Sequence, residues 1–308
     1  MLSEFSCDVR TGLSKPQKEL HSKYLYDDLG SALFDAITVL PEYGLTRADE
    51  RILIRYAPAI PREFSYVAEL GSGSGRKTRP VLEALRPEIY FPIDVSCAAL
   101  ARCQHELADA AATAEVEIVP MAASYLNGLT QVTARRNGDP MLVLFLGSTI
   151  GNFEPRCRTE FLAQVRSRMR IGDALLVGFD LLKPVETLLL AYDDPAGVTA
   201  AFNLNLLGRV NRELGGDFDL RAFCHVARFD PVERRIEMHL HSRRDQIVNI
   251  RRADFTCSLQ EGETIWTESS HKFTADEIPP MAQAAGFECE TQWIDQEWPF
   301  CESLWRAV

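Results

Sequence analysis

The sequence predicts an α/β fold in which a doubly wound parallel sheet is joined to a second, α+β lobe. Three observations support this prediction. Short, nearly continuous apolar runs alternate with helical patterns from Phe64 onward. A burst of glycines follows the first of these runs. After Lys183 and Pro184 the rhythm changes to long helical stretches and alternating strands. Strands that alternate regularly with helices are typical of parallel sheets covered on both faces.

The apolar runs predict five strands of the first sheet. They read "FSYVAEL", "IYFPIDV", "VEIVPM", "MLVLFLGS" and "ALLVGFDLL". The helical stretches between them include "RKTRPVLEALR", "CAALARCQHELADAAAT" and "EPRCRTEFLAQVRSRM". Right-handed crossovers would then wind the sheet, and ligands would bind beyond the carboxyl ends of its strands.

The remaining segments predict the second lobe and the end of the first sheet. "ETLLLAYDDPAGVTAAFNLNLLGRVNREL" is helical in pattern, whereas "RIEMHLHSRRDQIVNI" and "TIWTESSHKF" alternate like exposed antiparallel strands. The tail, "GFECETQWIDQEWPFCESLWRAV", predicts two strands that return to the first sheet. We therefore expect one domain over 48–183 plus 273–308, and a discontinuous lobe over 1–47 plus 184–272.

Composition excludes several classes of partner. The net charge of −11 would repel nucleic-acid phosphates, so we expect no nucleic-acid partner. The N-terminus lacks the apolar core of a signal peptide and no window resembles a membrane span, so we expect a cytoplasmic protein without a membrane partner. The eight cysteines are scattered without a Cys-x-x-Cys pair, which favours reduced thiols and no metal site. We expect a monomer.

The glycine-rich loop, Gly71-Ser72-Gly73-Ser74-Gly75-Arg76, indicates the kind of cofactor. A dinucleotide fingerprint requires glycine or alanine where Arg76 stands, and the spacing of Lys77 and Thr78 does not fit a phosphate-binding Walker loop. What remains is an acidic residue, Glu69, followed by alternating glycines. This pattern opens many S-adenosylmethionine folds, in which bare backbone lies beside the methionine and ribose portions.

Two carboxylates flank this loop. Glu69 suits the cationic end of S-adenosylmethionine. Asp94 closes the second predicted strand, where a carboxylate can accept both ribose hydroxyls. The alternative for Asp94 is a helix N-cap, and the alternative for the glycines is a tight turn without a ligand.

Beyond these features, the chain closely resembles the histidine-specific Nα-methyltransferases of ergothioneine biosynthesis, which make trimethylhistidine (hercynine). The resemblance covers nearly the whole chain through "KYLYDDLGSALFDAIT", "ELGSGSGRKTR", "FLGSTIGNF", "AYDDPAGVTAAFNLNLL" and "TESSHKF". It implies a class I S-adenosylmethionine-dependent methyltransferase domain with a Rossmann-like sheet. It also implies a family-specific α+β substrate lobe, with L-histidine held between the two. The cofactor would be S-adenosyl-L-methionine and its product S-adenosyl-L-homocysteine.

The resemblance also implies roles for individual residues. Gly71 and Lys77 are expected cofactor contacts together with Gly73, and Asp94 is the expected ribose acceptor. Asn152 and Tyr192 resemble the pair that holds the carboxylate of the amino acid. Glu268 and Ser270 resemble the pair that binds the imidazole. Further expected substrate contacts are Gly147, at the end of the fourth strand, and Met238. Without the resemblance, the alternative for Asn152 is a cap of the helix that begins near Glu154.

Two departures from the family pattern weaken particular contacts. Gly44 stands in "PEYGLTR" where a second tyrosine is frequent, which would thin the aromatic wall around the amine. Ser124 stands in "MAASYL" where an aspartate that would contact the adenine amine commonly precedes an aromatic residue, which weakens the adenine contacts expected of Ser124 and Tyr125.

The implied reaction is three successive SN2 transfers to the α-amine of L-histidine. Tyr43 and Tyr26 are the expected catalytic aromatics near that amine, where a phenol could receive the departing proton through water. Three alternatives remain at this point. The chain could methylate another aromatic amino acid such as tryptophan, it could be a non-catalytic cofactor-binding partner protein, or it could be a nicotinamide dehydrogenase. Arg76 disfavours the last of these.

Overall fold

The computed structural model describes residues 3–308, which form two compact units. Unit 1 contains the described residues up to Gly44 and the segment Lys183–His271. Unit 2 contains Leu45–Leu182 and Lys272–Val308. Each unit is therefore assembled from two separate stretches of the chain. That unit 2 binds the cofactor and unit 1 binds the substrate stays a prediction.

The helices and strands are numbered in chain order. The helices are α1 (Glu4–Leu13), α2 (Asp28–Thr38), α3 (Leu45–Tyr56), α4 (Arg79–Leu85), α5 (Cys97–Ala114), α6 (Tyr125–Arg135), α7 (Pro155–Arg166), α8 (Val185–Tyr192), α9 (Val198–Leu214) and α10 (Ile278–Ala284). The strands are β1 (Lys18–Glu19), β2 (Tyr66–Leu70), β3 (Ile89–Asp94), β4 (Glu117–Ile118), β5 (Met121–Ala122), β6 (Met141–Phe145), β7 (Ala174–Asp180), β8 (Phe223–Asp230), β9 (Arg235–Ser242), β10 (Gln246–Ile250), β11 (Phe255–Leu259), β12 (Thr264–His271), β13 (Phe287–Asp295) and β14 (Phe300–Ala307).

Unit 2 is built on a sheet with the strand order β13-β14-β7-β6-β2-β3-β4, and β5 also pairs with β3. Strands β7, β6, β2, β3 and β4 run parallel, whereas β14 is antiparallel to both β7 and β13. The chain progresses outward from β2 in one direction and from β6 in the other. Ligands in such sheets bind at this reversal, beyond the carboxyl ends of the strands. The predicted doubly wound α/β sheet, with two strands of the tail returning to it, is confirmed.

The central strands of this sheet are apolar because both of their faces are covered. Along β2, Tyr66, Ala68 and Leu70 join one core cluster, and Val67 joins the cluster on the opposite face. Every residue of β2, β6 and β7 is buried. Such burial favours continuous hydrophobic runs over the alternation of a half-exposed strand.

Three elements differ from the sequence predictions. "VEIVPM" is not one strand, because two short pairings, β4 and β5, flank Val119 and Pro120, and a proline cannot donate to a ladder. The helical stretch that starts at Glu186 is split between α8 and α9, and Gly197 adopts a left-handed conformation at the break (φ 75°). Helix α6 was absent from the prediction altogether.

Unit 1 contains a sheet with the strand order β1-β12-β9-β8 and a separate hairpin of β10 and β11. Strand β9 pairs antiparallel with both β8 and β12. The prediction of exposed strands is therefore wrong for β9, which is central and buries Ile236, Met238 and Leu240. Helices α8 and α9 pack against this sheet. None of the helices in residues 3–308 has both the length and the apolar character that crossing a bilayer requires.

Candidate active site

The glycine-rich loop follows β2 at the point where the sheet reverses direction. Gly71, Gly73 and Gly75 all have positive φ (78°, 52° and 72°), a region that glycine enters without steric cost. A Cβ atom at Gly71 would lie 3.0 Å from the phenol oxygen of Tyr125, and one at Gly75 would lie 2.5 Å from Cys103 Sγ. A Cβ at Gly73 would meet nothing within 4 Å. Gly75 therefore serves packing, whereas Gly73 exposes bare backbone.

Asp94 lies at the end of β3 and is tied to this loop. Its Oδ2 accepts a hydrogen bond from the backbone N–H of Gly73 at 3.2 Å, and its Oδ1 accepts from Ser96 N at 2.9 Å. Ser96 is the residue that caps α5, because its side chain accepts from Ala99 N at 3.1 Å. The N-cap alternative for Asp94 is therefore removed.

Glu69 lies inside the sheet, below the loop. Its carboxylate accepts hydrogen bonds from Thr78 Oγ1 at 2.6 Å and from the phenol of Tyr90. Burial raises the pKa of Glu69 to about 7, against the opposing effect of these two hydrogen bonds. These contacts hold β2, β3 and the turn after the loop together, so Glu69 has a structural role whether or not it also faces a cofactor.

Lys77 provides a positive charge beside the loop. Its Nζ lies 2.6 Å from Asp49 Oδ2, and Asp49 is fully buried on α3. Burial lowers the pKa of Lys77, but the charge and hydrogen bond of Asp49 outweigh that effect and leave the pKa raised. A Cβ at Gly147, where φ is 73°, would lie 2.7 Å from Lys77 Nζ. Glycine at position 147 is thus what lets this ammonium group approach the backbone.

The two expected adenine contacts occupy different environments. Ser124 is exposed at the N-cap position of α6, where its side chain makes no capping hydrogen bond. Tyr125 packs edge-on against Phe145 and Phe161, and its phenol lies beside Gly71. Burial raises the pKa of Tyr125 to about 12, so this phenol stays protonated at neutral pH.

The turn after β6 carries Gly147 and Asn152. Ser148 adopts a left-handed conformation (φ 59°), and its Oγ accepts from the backbone N–H of Asp180 at 2.8 Å. Asn152 is half-buried at the end of the 3-10 turn Thr149–Asn152. Glu154, and not Asn152, occupies the cap position of α7, so the capping alternative for Asn152 is also removed.

Unit 1 brings together four of the predicted substrate residues. Glu268 of β12 lies directly opposite Met238 of β9, just beyond an irregularity between Trp266 and Glu268. Ser270 lies two residues farther along β12, on the same face as Glu268. The phenol of Tyr192, at the end of α8, donates to Ser270 Oγ at 2.7 Å. Ser270 is thus one hydrogen-bond partner of the Tyr192 phenol, and the contact of Tyr192 with the carboxylate of the amino acid stays a prediction.

Tyr26 and Tyr43 belong to an aromatic cluster in unit 1. The Tyr43 ring contacts Tyr192 edge-on, with centroids 6.2 Å apart, and it contacts Phe34 at 6.4 Å. Tyr26 contacts Phe34 and Phe202, each at 5.5 Å. Phe34 and Phe202 link the tyrosines, and both stand in stretches that carry the family resemblance, although neither was predicted as a site residue.

A half-buried histidine, His225, holds the backbone of Tyr192. His225 Nε2 donates to the backbone carbonyl of Tyr192 at 2.7 Å, and its Nδ1 accepts from Asn203 at 2.9 Å. Burial lowers the pKa of His225, which keeps the ring neutral and suits one donor and one acceptor nitrogen. The sequence reasoning missed this residue, because the spacing between positions 192, 203 and 225 forms no local motif.

The donor set of unit 2 fits a nucleoside-linked amino acid better than a metal ion. Bare glycine backbone, a carboxylate at Asp94 and an ammonium at Lys77 lie around one loop, in keeping with a ligand that carries hydroxyls and a carboxylate. Within residues 3–308, no group of three or more histidine, cysteine or acidic side chains could hold a metal.

Comparison with known proteins places the chain in a family. The family model described as histidine-specific methyltransferase, SAM-dependent, matches residues 5–307. Two histidine N-alpha-methyltransferases, from Mycobacterium tuberculosis and Mycolicibacterium smegmatis, are 41% and 42% identical to this chain. Each alignment covers 96% of this chain and 93% of the relative. Ergothioneine biosynthesis protein 1 of Schizosaccharomyces pombe is 33% identical over 64% of this chain and 27% of that protein. The resemblance of the motifs is confirmed, and the chain belongs to the family of histidine-specific, S-adenosylmethionine-dependent methyltransferases.

Proposed function

We propose that this enzyme methylates the α-amine of L-histidine three times to give trimethylhistidine, as in ergothioneine biosynthesis. The observation that carries the proposal is the arrangement on β12 and β9, where Glu268, Met238 and the hydrogen-bonded pair of Ser270 and Tyr192 come together. The two mycobacterial relatives named histidine N-alpha-methyltransferase, which align with almost the whole length of the chain, also support the proposal.

Residues of unit 2 are proposed to bind the cofactor. S-adenosylmethionine, when bound, supplies a methyl group that its sulfonium charge has already activated. Asp94 accepts hydrogen bonds from ribose hydroxyls, Gly71 and Gly73 offer backbone without side chains, and Lys77 faces the carboxylate. Tyr125 and Ser124 are proposed to border the adenine. The neutral phenol of Tyr125 adds an apolar ring there without adding charge.

Residues of unit 1 are proposed to select histidine. The Glu268 carboxylate accepts the imidazole N–H, and the Ser270 hydroxyl serves the other nitrogen. Ser270 Oγ accepts a hydrogen bond from the phenol of Tyr192, which fixes the position of the hydroxyl that is proposed to serve this nitrogen. Met238, which is opposite Glu268 and almost completely buried, supplies an apolar, polarisable surface beside the ring. Gly147 and Asn152 of unit 2 remain proposed contacts to the amino acid.

The aromatic cluster is proposed to orient the amine. Tyr43 offers its oxygen as an acceptor while the amine passes a proton to water. The ring faces of Tyr43 and Tyr26 stabilise the ammonium that grows with each transfer, by about 0.5–2 kcal/mol of cation–π attraction. Each transfer removes an N–H donor, so the rings matter more in later rounds. Positioning, and not acid–base catalysis, then contributes most of the rate.

The decisive experiment is mass spectrometry of the purified protein incubated with S-adenosylmethionine and the pooled amino acids. We expect mass increments of one, two and three methylenes on histidine. Methylation of tryptophan but not histidine would overturn the substrate assignment, and absence of any S-adenosylhomocysteine would overturn catalysis.

Glu268→Ala tests the recognition of the ring. We expect calorimetry to show histidine binding weakened at least about tenfold and S-adenosylhomocysteine binding unchanged, since a lost hydrogen bond to a charged group costs about 1.5–3 kcal/mol. Glu263→Ala is the matched control, because Glu263 immediately precedes β12 and pairs instead with Lys18. Equal losses of both ligands in Glu268→Ala would assign Glu268 to the fold and not to the substrate.

A further inference from the structure

Two carboxyl groups face each other in the interior of unit 2. Glu302 of β14 and Asp49 of α3 are both fully buried, and their side chains lie within hydrogen-bonding reach of each other. Both oxygens of Glu302 and the Oδ1 of Asp49 have no donor among the described residues. Two ionised carboxylates cannot share such a place, because their repulsion is not screened by water. A proton shared between them would give one oxygen of each group a hydrogen bond.

The position of Lys77 decides which carboxyl group is ionised. Asp49 Oδ2 lies 2.6 Å from Lys77 Nζ, whereas Glu302 has no ion-pair partner among residues 3–308. The negative charge therefore rests on Asp49, and Glu302 is the group that can donate. Burial raises the pKa of Glu302 well above its usual range, and Asp49 raises it further.

We propose that Glu302 is a protonated positioning residue: its carboxylic acid donates to Asp49, which in turn aims the Lys77 ammonium at the backbone of Gly147. This inference rests on the proposed function, in which Lys77 receives the carboxylate of the cofactor. In the protonated state, one positive and one negative charge balance within the group of three. Ionised Glu302 would add a second negative charge and repel the incoming carboxylate.

Two glycines make this arrangement possible. A Cβ at Gly178 of β7 would lie 2.7 Å from Glu302 Oε1 and 3.0 Å from the backbone nitrogen of Gly147. A Cβ at Gly147 would lie 2.7 Å from Lys77 Nζ. The carboxylic acid, the ammonium and the turn after β6 therefore meet where side chains are absent. Positions 147 and 178 need glycine because a Cβ atom at either would lie too close to Lys77 Nζ or Glu302 Oε1.

The proposal makes cofactor affinity depend on pH. The charged groups that face Glu302 are Asp49 from α3, Lys77 from the turn after the glycine loop and Glu69 from β2. Asp49 and Glu69 favour its protonated form, and Lys77 opposes it. As the pH rises through the raised pKa of Glu302, the cluster gains a negative charge and the affinity falls.

Infrared spectroscopy tests the shared proton without reference to function. Glu302→Gln should remove the carbonyl stretch of one protonated carboxylic acid from the spectrum at neutral pH. Glu290→Gln, which removes an exposed carboxylate from the adjacent strand β13, should leave that band unchanged. An unchanged band in Glu302→Gln would overturn the proposal.

Calorimetric titration with S-adenosylhomocysteine tests the positioning role. Glutamine can still donate to Asp49, so Glu302→Gln should stay within about threefold of the parent and lose its share of the alkaline decline in affinity. Glu302→Leu cannot donate and should lose about tenfold. Identical pH profiles in the parent and Glu302→Gln would overturn the proposal, as would equal affinities of the Leu and Gln variants. If the parent binds no S-adenosylhomocysteine, the proposed function fails, whereas the infrared result still decides where the proton lies.

Discussion

The imidazole recognition proposed for unit 1 depends on two hydroxyl groups, those of Ser270 and Tyr192. Ser270 Oγ accepts a hydrogen bond from the phenol of Tyr192, which ties the position of one hydroxyl group to that of the other. Tyr192 is itself held through its backbone by His225 and through its ring by Tyr43. The specificity proposed for Ser270 therefore depends also on His225, which has no proposed contact with the substrate.

A double-mutant cycle tests this coupling. We expect Tyr192→Phe and Ser270→Ala each to raise the KM for L-histidine by several-fold to about tenfold, since a neutral hydrogen bond contributes about 0.5–1.5 kcal/mol. The double variant should be little worse than either single variant, because both remove the same interaction.

Tyr24→Phe provides the comparison. It also removes a phenol of unit 1, one that donates to Asp8 at 2.8 Å, and it should leave the KM unchanged. Strictly additive effects of Tyr192→Phe and Ser270→Ala would show that the two hydroxyls act independently.

Sequence reasoning could name some of these residues and not others. Glu268, Ser270 and Tyr192 stand in distinctive stretches that carry the family resemblance. Asp49 and Glu302 come from opposite ends of unit 2, and only the pairing of β14 with β7 brings Glu302 into the interior. Neither residue stands in a local pattern, so their proximity could not be read from spacing.

At the scale of elements, the glycine loop depends on backbone conformation as well as on the absence of side chains. Gly71→Val should abolish S-adenosylhomocysteine binding in calorimetry, because the new side chain would enter the space beside the Tyr125 phenol. The positive φ of 78° adds strain of about 1–2 kcal/mol to the folded state.

Gly172→Val separates these two effects. Gly172 also has a positive φ, 92°, but a Cβ there would meet nothing within 4 Å. It should lose stability in a thermal melt as Gly71→Val does, yet bind the cofactor product normally. Comparable loss of binding in both variants would mean that strain alone explains the effect of Gly71→Val.

The elements that sequence predicted best are those whose burial is uniform. The runs that form β2, β6 and β7 are buried throughout and are apolar except for Glu69 and Asp180, and their positions follow from that property. Helix α6 was missed because its sequence, "YLNGLTQVTAR", contains Asn, Gly and Thr, which favour the helix weakly. Packing of Leu129 and Val132 into the core overrides that preference.

For the whole molecule, Glu69 predicts a dependence of stability on pH. Its pKa rises from 4.5 to about 7 on folding, so the folded state binds this proton more tightly than the unfolded chain. The resulting stabilisation is complete below about pH 4.5 and is lost as the pH rises through about 7. Glu69→Gln should therefore become more stable relative to the parent by up to about 3 kcal/mol over this window.

Urea unfolding at a series of pH values measures this difference. Glu88→Gln, an exposed change one residue before β3, serves as the control and should follow the parent at every pH. A constant difference between Glu69→Gln and the parent across the window would show that Glu69 keeps its charge in the folded state.

The interrupted order of the main sheet has a consequence for biosynthesis. Strand β14 covers one side of β7, yet the segment Lys183–His271, which belongs to unit 1, emerges from the ribosome between them. Throughout that interval a mainly apolar strand presents an uncovered edge, and such edges favour pairing with other nascent chains. The enzyme consequently passes through a vulnerable stage during translation, and chaperone supply should affect its yield more than that of a protein whose sheet closes in sequence order.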